Sequence, residues 1–180
     1  DGPSSDLHSG SYGGAVVNPA MALARILATL HDATGQVAIP GFYDAVRAWE
    51  ESVRAQIRTL PFDEEAFRHE TGASALGGEA GYSVLERIWT RPTCEVNGLL
   101  SGYTGEGAKT VLPAKAMAKV SCRLVPDQDP DTVERLLKAH IAAVQPAGVT
   151  VTVRALHGGR PWRGELAGPL FDAGARALER

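Results

Sequence analysis

The sequence predicts an α+β domain of the split βαβ, ferredoxin-like type: a four-stranded antiparallel sheet with two helices on one face. A helical insertion is expected between the first helix and the second strand. Three observations carry this reading. Two proline-started segments have apolar residues at helical spacing; several segments alternate with period two; and their order is strand, helix, strand, strand, helix, strand.

Leu7 to Ser9 reads as the end of a first strand, cut short by the start of the chain. Asn18-Pro19 is a helix start, with Asn as N-cap and proline at the first helical position. Leu23, Ile26, Leu27 and Leu30 then form one apolar stripe through about His31. Residues 35–92 form a block too long for a plain loop. It contains a helix from Tyr43 to about Arg58, an acidic helix near Asp63 to Glu70, a Gly77-Gly78 turn and a helical stretch at Ser83 to Trp89. Thr93 to Leu100 reads as the second strand. In the third, Ala116, Ala118, Val120, Cys122 and Leu124 alternate with Lys115, Met117, Lys119, Ser121 and Arg123, leaving one mostly polar face. Asp129-Pro130-Asp131 starts a second helix, whose stripe is Val133, Leu136, Leu137, Ile141 and Val144, ended by Pro146 and Gly148. Val149, Val151 and Val153 mark a fourth strand, and Pro169 to Arg180 reads as a further helix that the chain end interrupts.

Composition narrows the function classes. With 180 residues the chain suits one domain or one domain with an appendage. A net charge of −3, with both signs interspersed, gives no support for binding nucleic acid or an anionic membrane. No apolar run approaches the roughly 18 residues of a membrane helix. No signal-peptide pattern opens the chain, and Cys94 and Cys122 read as buried thiols of a reducing compartment. A cytoplasmic location is therefore expected.

The run from Asn97 to Ala114 holds four glycines, a lysine, a threonine and a proline. Its core, G-Y-T-G-E-G-A-K-T at 102–110, is one residue off a phosphate loop. That mechanism needs the lysine directly after the last glycine and a helix next. Here Ala108 intervenes and Pro113 and a strand follow, so the nucleotide reading fails on geometry. Asp6-Leu7-His8 places a carboxylate and an imidazole two residues apart. Metal ligation, an Asp-oriented histidine and a plain surface turn all fit that spacing. Arg123 lies on the polar strand face, where it fits either a solvated position or a guanidinium fork for a carboxylate. The other histidines form no ligand spacing, and no metal site is expected in this chain. No nucleophile elbow supports a serine hydrolase.

The motifs D-L-H-S-G-S-Y-G-G (6–14), N-G-L-L-S-G-Y-T-G-E-G-A-K-T-V-L-P-A (97–114) and K-V-S-C-R-L-V-P (119–126) resemble the M20 metallopeptidases. The resemblance is to the inserted dimerisation or lid domain of the carnosinase-type dipeptidases, with ArgE/DapE-like deacylases more distant. It covers about residues 1–160, with residues 161–180 resembling the linker and the return into a catalytic domain. It implies a hydrolase of the dipeptidase or aminoacylase type that acts on peptides or N-acyl amino acids. Two zinc ions would sit in that separate catalytic domain. It also implies a homodimer in which His8 crosses into the partner's active site to stabilise an oxyanion. Thr110 and Arg123 would contact substrate, the arginine at its terminal carboxylate, with Asn97 a weaker substrate-binding candidate. On this reading the chain is inactive alone. The alternative is a non-catalytic dimerising or ligand-binding module, since split βαβ domains also serve in that way.

Overall fold

Helix α2 (Pro19–Ala28) begins as its sequence dictates: the Asn18 side chain accepts from the Ala20 N–H at 2.9 Å, with Pro19 in the first turn. Helix α6 (Pro130–Val144) repeats the device, with Asp129 accepting from Thr132 N–H at 3.0 Å. In the computed structural model, which describes residues 1–164 and 168–179, both helices turn their apolar stripes to one core. Leu30, Val37, Ile39, Phe42, Cys94 and Val133 are buried there, with Leu27, Val120, Leu136 and Leu137 packed around them. Strands β2 (Thr93–Ser101) and β4 (Ala116–Arg123) supply the sheet beneath this core.

β2 and β4 pair antiparallel, with Thr93 opposite Arg123, Cys94 opposite Cys122 and Ser101 opposite Ala116. The predicted alternation of β4 is realised residue by residue: Met117, Lys119, Ser121 and Arg123 are exposed, and the residues between them are half-buried. A bulge at Asn97, between Val96 and Gly98, shifts the register of β2. Cys94 and Cys122 are free thiols side by side. Their mutual hydrogen bond, together with burial, pushes the Cys94 thiol well above its usual range.

The single four-stranded sheet is not what forms. Strand β1 (Leu7–His8) pairs with a short strand β3 (Val111–Leu112), separate from the β2–β4 pair. Residues 149–153 have no strand assignment; Thr150 exchanges two backbone hydrogen bonds with Asp1, each 2.8 Å. Period-two alternation shows which side chains face inward. It does not show which backbone lies alongside. Here β3, in the limb leading from the glycine-rich loop, takes up β1. The α+β class stands, with two small antiparallel pairings and seven helices among the described residues.

Between α2 and β2 run α3 (Glu51–Thr59), α4 (Glu64–Thr71) and α5 (Val84–Thr90). The helix read from Tyr43 begins only at Glu51, because residues 41–45 form turns over the core with Phe42 buried. Helix α5 carries a complete capping box between Ser83 and Glu86. Two ion pairs, one buried and one half-buried, tie this block down. Arg91 binds Glu79 in bidentate fashion at 2.8 and 2.7 Å, and Arg54 Nε donates to Glu86 at 2.7 Å. Helix α7 (Pro169–Leu178) follows the expected C-terminal helix, whose last residue, Arg180, lies outside the described residues.

Candidate functional site

His8 is the last residue of β1 and the N-cap of the one-turn helix α1 (Ser9–Tyr12). The pairing of His8 with Val111 sets Thr110 beside it, and Ser9 N–H donates to the Thr110 carbonyl at 3.2 Å. The side chains meet as well, with His8 Nε2 3.1 Å from Thr110 Oγ1. The other ring nitrogen, Nδ1, accepts from the Gly10 N–H at 3.1 Å. A nitrogen that accepts a backbone N–H carries no proton, so in the neutral ring the proton is assigned to Nε2, the atom facing Thr110. Glycine is required beneath the ring: a Cβ on residue 10 would lie 2.9 Å from His8 Cε1. The arrangement thus fixes which tautomer the neutral imidazole takes, presenting an N–H donor beside a hydroxyl on an exposed edge.

Asp6 does not orient His8. Its Oδ1 accepts from Ala114 N–H at 2.8 Å, so the carboxylate secures the turn between β3 and β4. That bond was invisible to spacing, because the residues are 108 positions apart.

The remaining candidates stand elsewhere. Thr110 approaches β4 from the Ala116 end, whereas Arg123 closes the other end, about 23 Å further along at ~3.3 Å per residue. Arg123 is exposed, opposite Thr93, and among the described residues it forms no ion pair. With Lys119 and Ser121 it stands on the face away from the core, where Glu95 lies directly opposite Ser121. Asn97 is exposed at the bulge, midway along the same sheet. One chain therefore joins His8 to Thr110, and no hydrogen bond or ion pair among the described residues links that pair to Arg123 or Asn97.

The described residues contain no cluster of three or more His, Cys, Asp and Glu side chains able to hold a metal ion. No helix among the described residues is long and apolar enough to cross a membrane.

These features define an α+β unit that presents a histidine–threonine pair and a separate exposed arginine. A family profile described as the peptidase dimerisation domain of M20 matches residues 3–149. The chain belongs to the M20 peptidase dimerisation domains, in their carnosinase-type branch. It is 33% identical over 183 residues to the Cys-Gly metallodipeptidase dug1 of Schizosaccharomyces pombe, matching 100% of this chain and 38% of that protein. A solved M20 family metallo-carboxypeptidase from Sulfolobus solfataricus superposes with a TM-score of 0.73 at 42% identity, covering 83% of this chain and 39% of the other. Human carnosine dipeptidase 1 gives 0.83 at 26% identity, over 98% of this chain and 38% of that one. The chain thus spans less than two-fifths of the length of these relatives.

Proposed function

We propose that this chain is the dimerisation and lid domain, over about residues 1–160, of a zinc-dependent dipeptidase or related amidohydrolase that works as a cytoplasmic homodimer. Residues 161–180 would lead into a catalytic domain that holds the metals, and the lid would be inactive without it. Substrates would be dipeptides or N-acyl amino acids, in keeping with the dipeptidase relatives.

His8 and Thr110 act as a unit that one subunit lends to the other's active site. Hydrolysis of a peptide bond gathers negative charge on the former carbonyl oxygen. An Nε2–H already held in the right tautomer stabilises that charge without reorganising during the reaction. Arg123 serves its own subunit. Its planar fork matches the terminal carboxylate of the substrate. Asn97, on the same open face, lines the approach.

The observation that carries this reading is the 3.1 Å contact between His8 and Thr110, at the opposite end of β4 from Arg123. Two groups so placed converge on one substrate most simply when they come from different subunits. The test is complementation in the full-length dimer. His8→Ala and Arg123→Ala homodimers are each expected to lose most activity. Refolding them together should restore roughly a quarter of wild-type activity, since random assortment makes half the dimers mixed and each mixed dimer keeps one intact site. If both residues act within one subunit, no activity returns and the cross-dimer role fails.

A further inference from the structure

The glycine-rich loop has an internal clasp. Its base is closed where Ser101 pairs with Ala116 and Ser101 Oγ donates to the Lys115 carbonyl at 2.8 Å. The Tyr103 ring then folds inward over the turn, and its hydroxyl donates to the Glu106 carbonyl at 2.8 Å. The ring lies so close to Gly105 that a Cβ there would sit 2.6 Å from the tyrosine oxygen and 2.7 Å from Cζ. From the returning limb, the Lys109 ammonium lies over the same ring at 5.5 Å from its centre. Tyr103 therefore touches both the turn and the residue directly before Thr110. It remains 47% exposed, so little of the domain's stability rests on it.

We propose that Tyr103 is a positioning residue: by clasping the 102–110 loop through Gly105, Glu106 and Lys109 it holds Thr110 against His8. The inference rests on the reading of His8 and Thr110 as a catalytic pair, and two measurements on the full-length dimer separate the two claims. The first is amide hydrogen exchange of a peptide spanning Lys109 to Leu112, which reports the clasp whatever the chemistry. In Tyr103→Ala its exchange should accelerate about tenfold, and Gly105→Ala, which expels the ring, should do the same. Tyr103→Phe keeps the ring and the ammonium contact and should recover most of the protection. Unchanged exchange in both alanine variants overturns the proposal.

The second measurement is steady-state kinetics. Loosening the pair should lower kcat by about tenfold or more, leave KM nearly unchanged, and be largely reversed in Tyr103→Phe. Faster exchange with wild-type kcat supports the clasp but removes the catalytic role from the pair. A fall in kcat with unchanged exchange makes Tyr103 a direct substrate contact and overturns positioning.

Discussion

At the scale of single residues, Arg123 has the most sharply testable role. It is exposed and forms no ion pair among the described residues, so its removal leaves no buried charge behind and little folding stability is at stake. A charge-assisted bond to a carboxylate contributes about 1.5–3 kcal/mol. Arg123→Ala should therefore reduce kcat/KM roughly 10- to 150-fold for substrates with a free terminal carboxylate, and far less for amidated ones. Arg123→Lys keeps the charge but loses the planar fork, so it should restore only part of the difference. Equal losses on free and amidated substrates would refute the carboxylate role. Sequence could nominate Arg123 because β4 alternates so regularly. It could not show that Asp6 bonds to Ala114 rather than orienting His8, nor that Tyr103 folds back on Gly105, because those contacts depend on how the chain returns on itself.

At the scale of elements, legibility follows the strength of local signals. Helices α2 and α6 begin where Asn18-Pro19 and Asp129-Pro130 say they should, since cap, proline and apolar stripe all agree. Helix α1 and strand β3, at four and two residues, are too short to carry any periodicity. Val149 to Val153 has the alternation of a strand but pairs only through Thr150 and Asp1, since no side-chain pattern specifies a neighbouring backbone. The block between α2 and β2 is held differently, by ion pairs, and that gives it a pH dependence. Glu86 is 1% exposed. Burial alone would raise its pKa, but the Ser83 N–H and the Arg54 guanidinium outweigh this and hold the carboxyl below its usual value. A depressed folded pKa stabilises fully above the unfolded value of about 4.3 and is lost as pH falls through the folded one. Arg54 reaches solvent, so breaking the pair costs less than a fully buried one: Glu86→Gln should lose about 1–2 kcal/mol at pH 7, a Tm drop of about 3–6 °C. The gap between variant and wild type should close as pH drops below about 4.3. A gap that stays constant from pH 7 to 3 would show that the charge of Glu86 contributes nothing.

At the scale of the whole molecule, the separation of the two candidate groups becomes a statement about assembly. The His8–Thr110 pair belongs to the β1–β3 edge and Arg123 to the far end of β4, and neither one supplies what the other needs. If an active site draws on both subunits, a monomer has a substrate-carboxylate site without its oxyanion donor. Specific activity of the full-length protein should then fall on dilution, following the mass-action curve of the dimer measured independently by sedimentation. Arg123→Ala should leave that dissociation curve in place, because the residue is exposed on the open sheet face. His8→Ala should remove the dilution dependence of whatever activity remains, since its dimer no longer delivers the donor. A dissociated wild-type subunit that retains full turnover would mean that His8 works within its own chain. The 3.1 Å contact with Thr110 would then only stabilise the edge formed by β1 and β3.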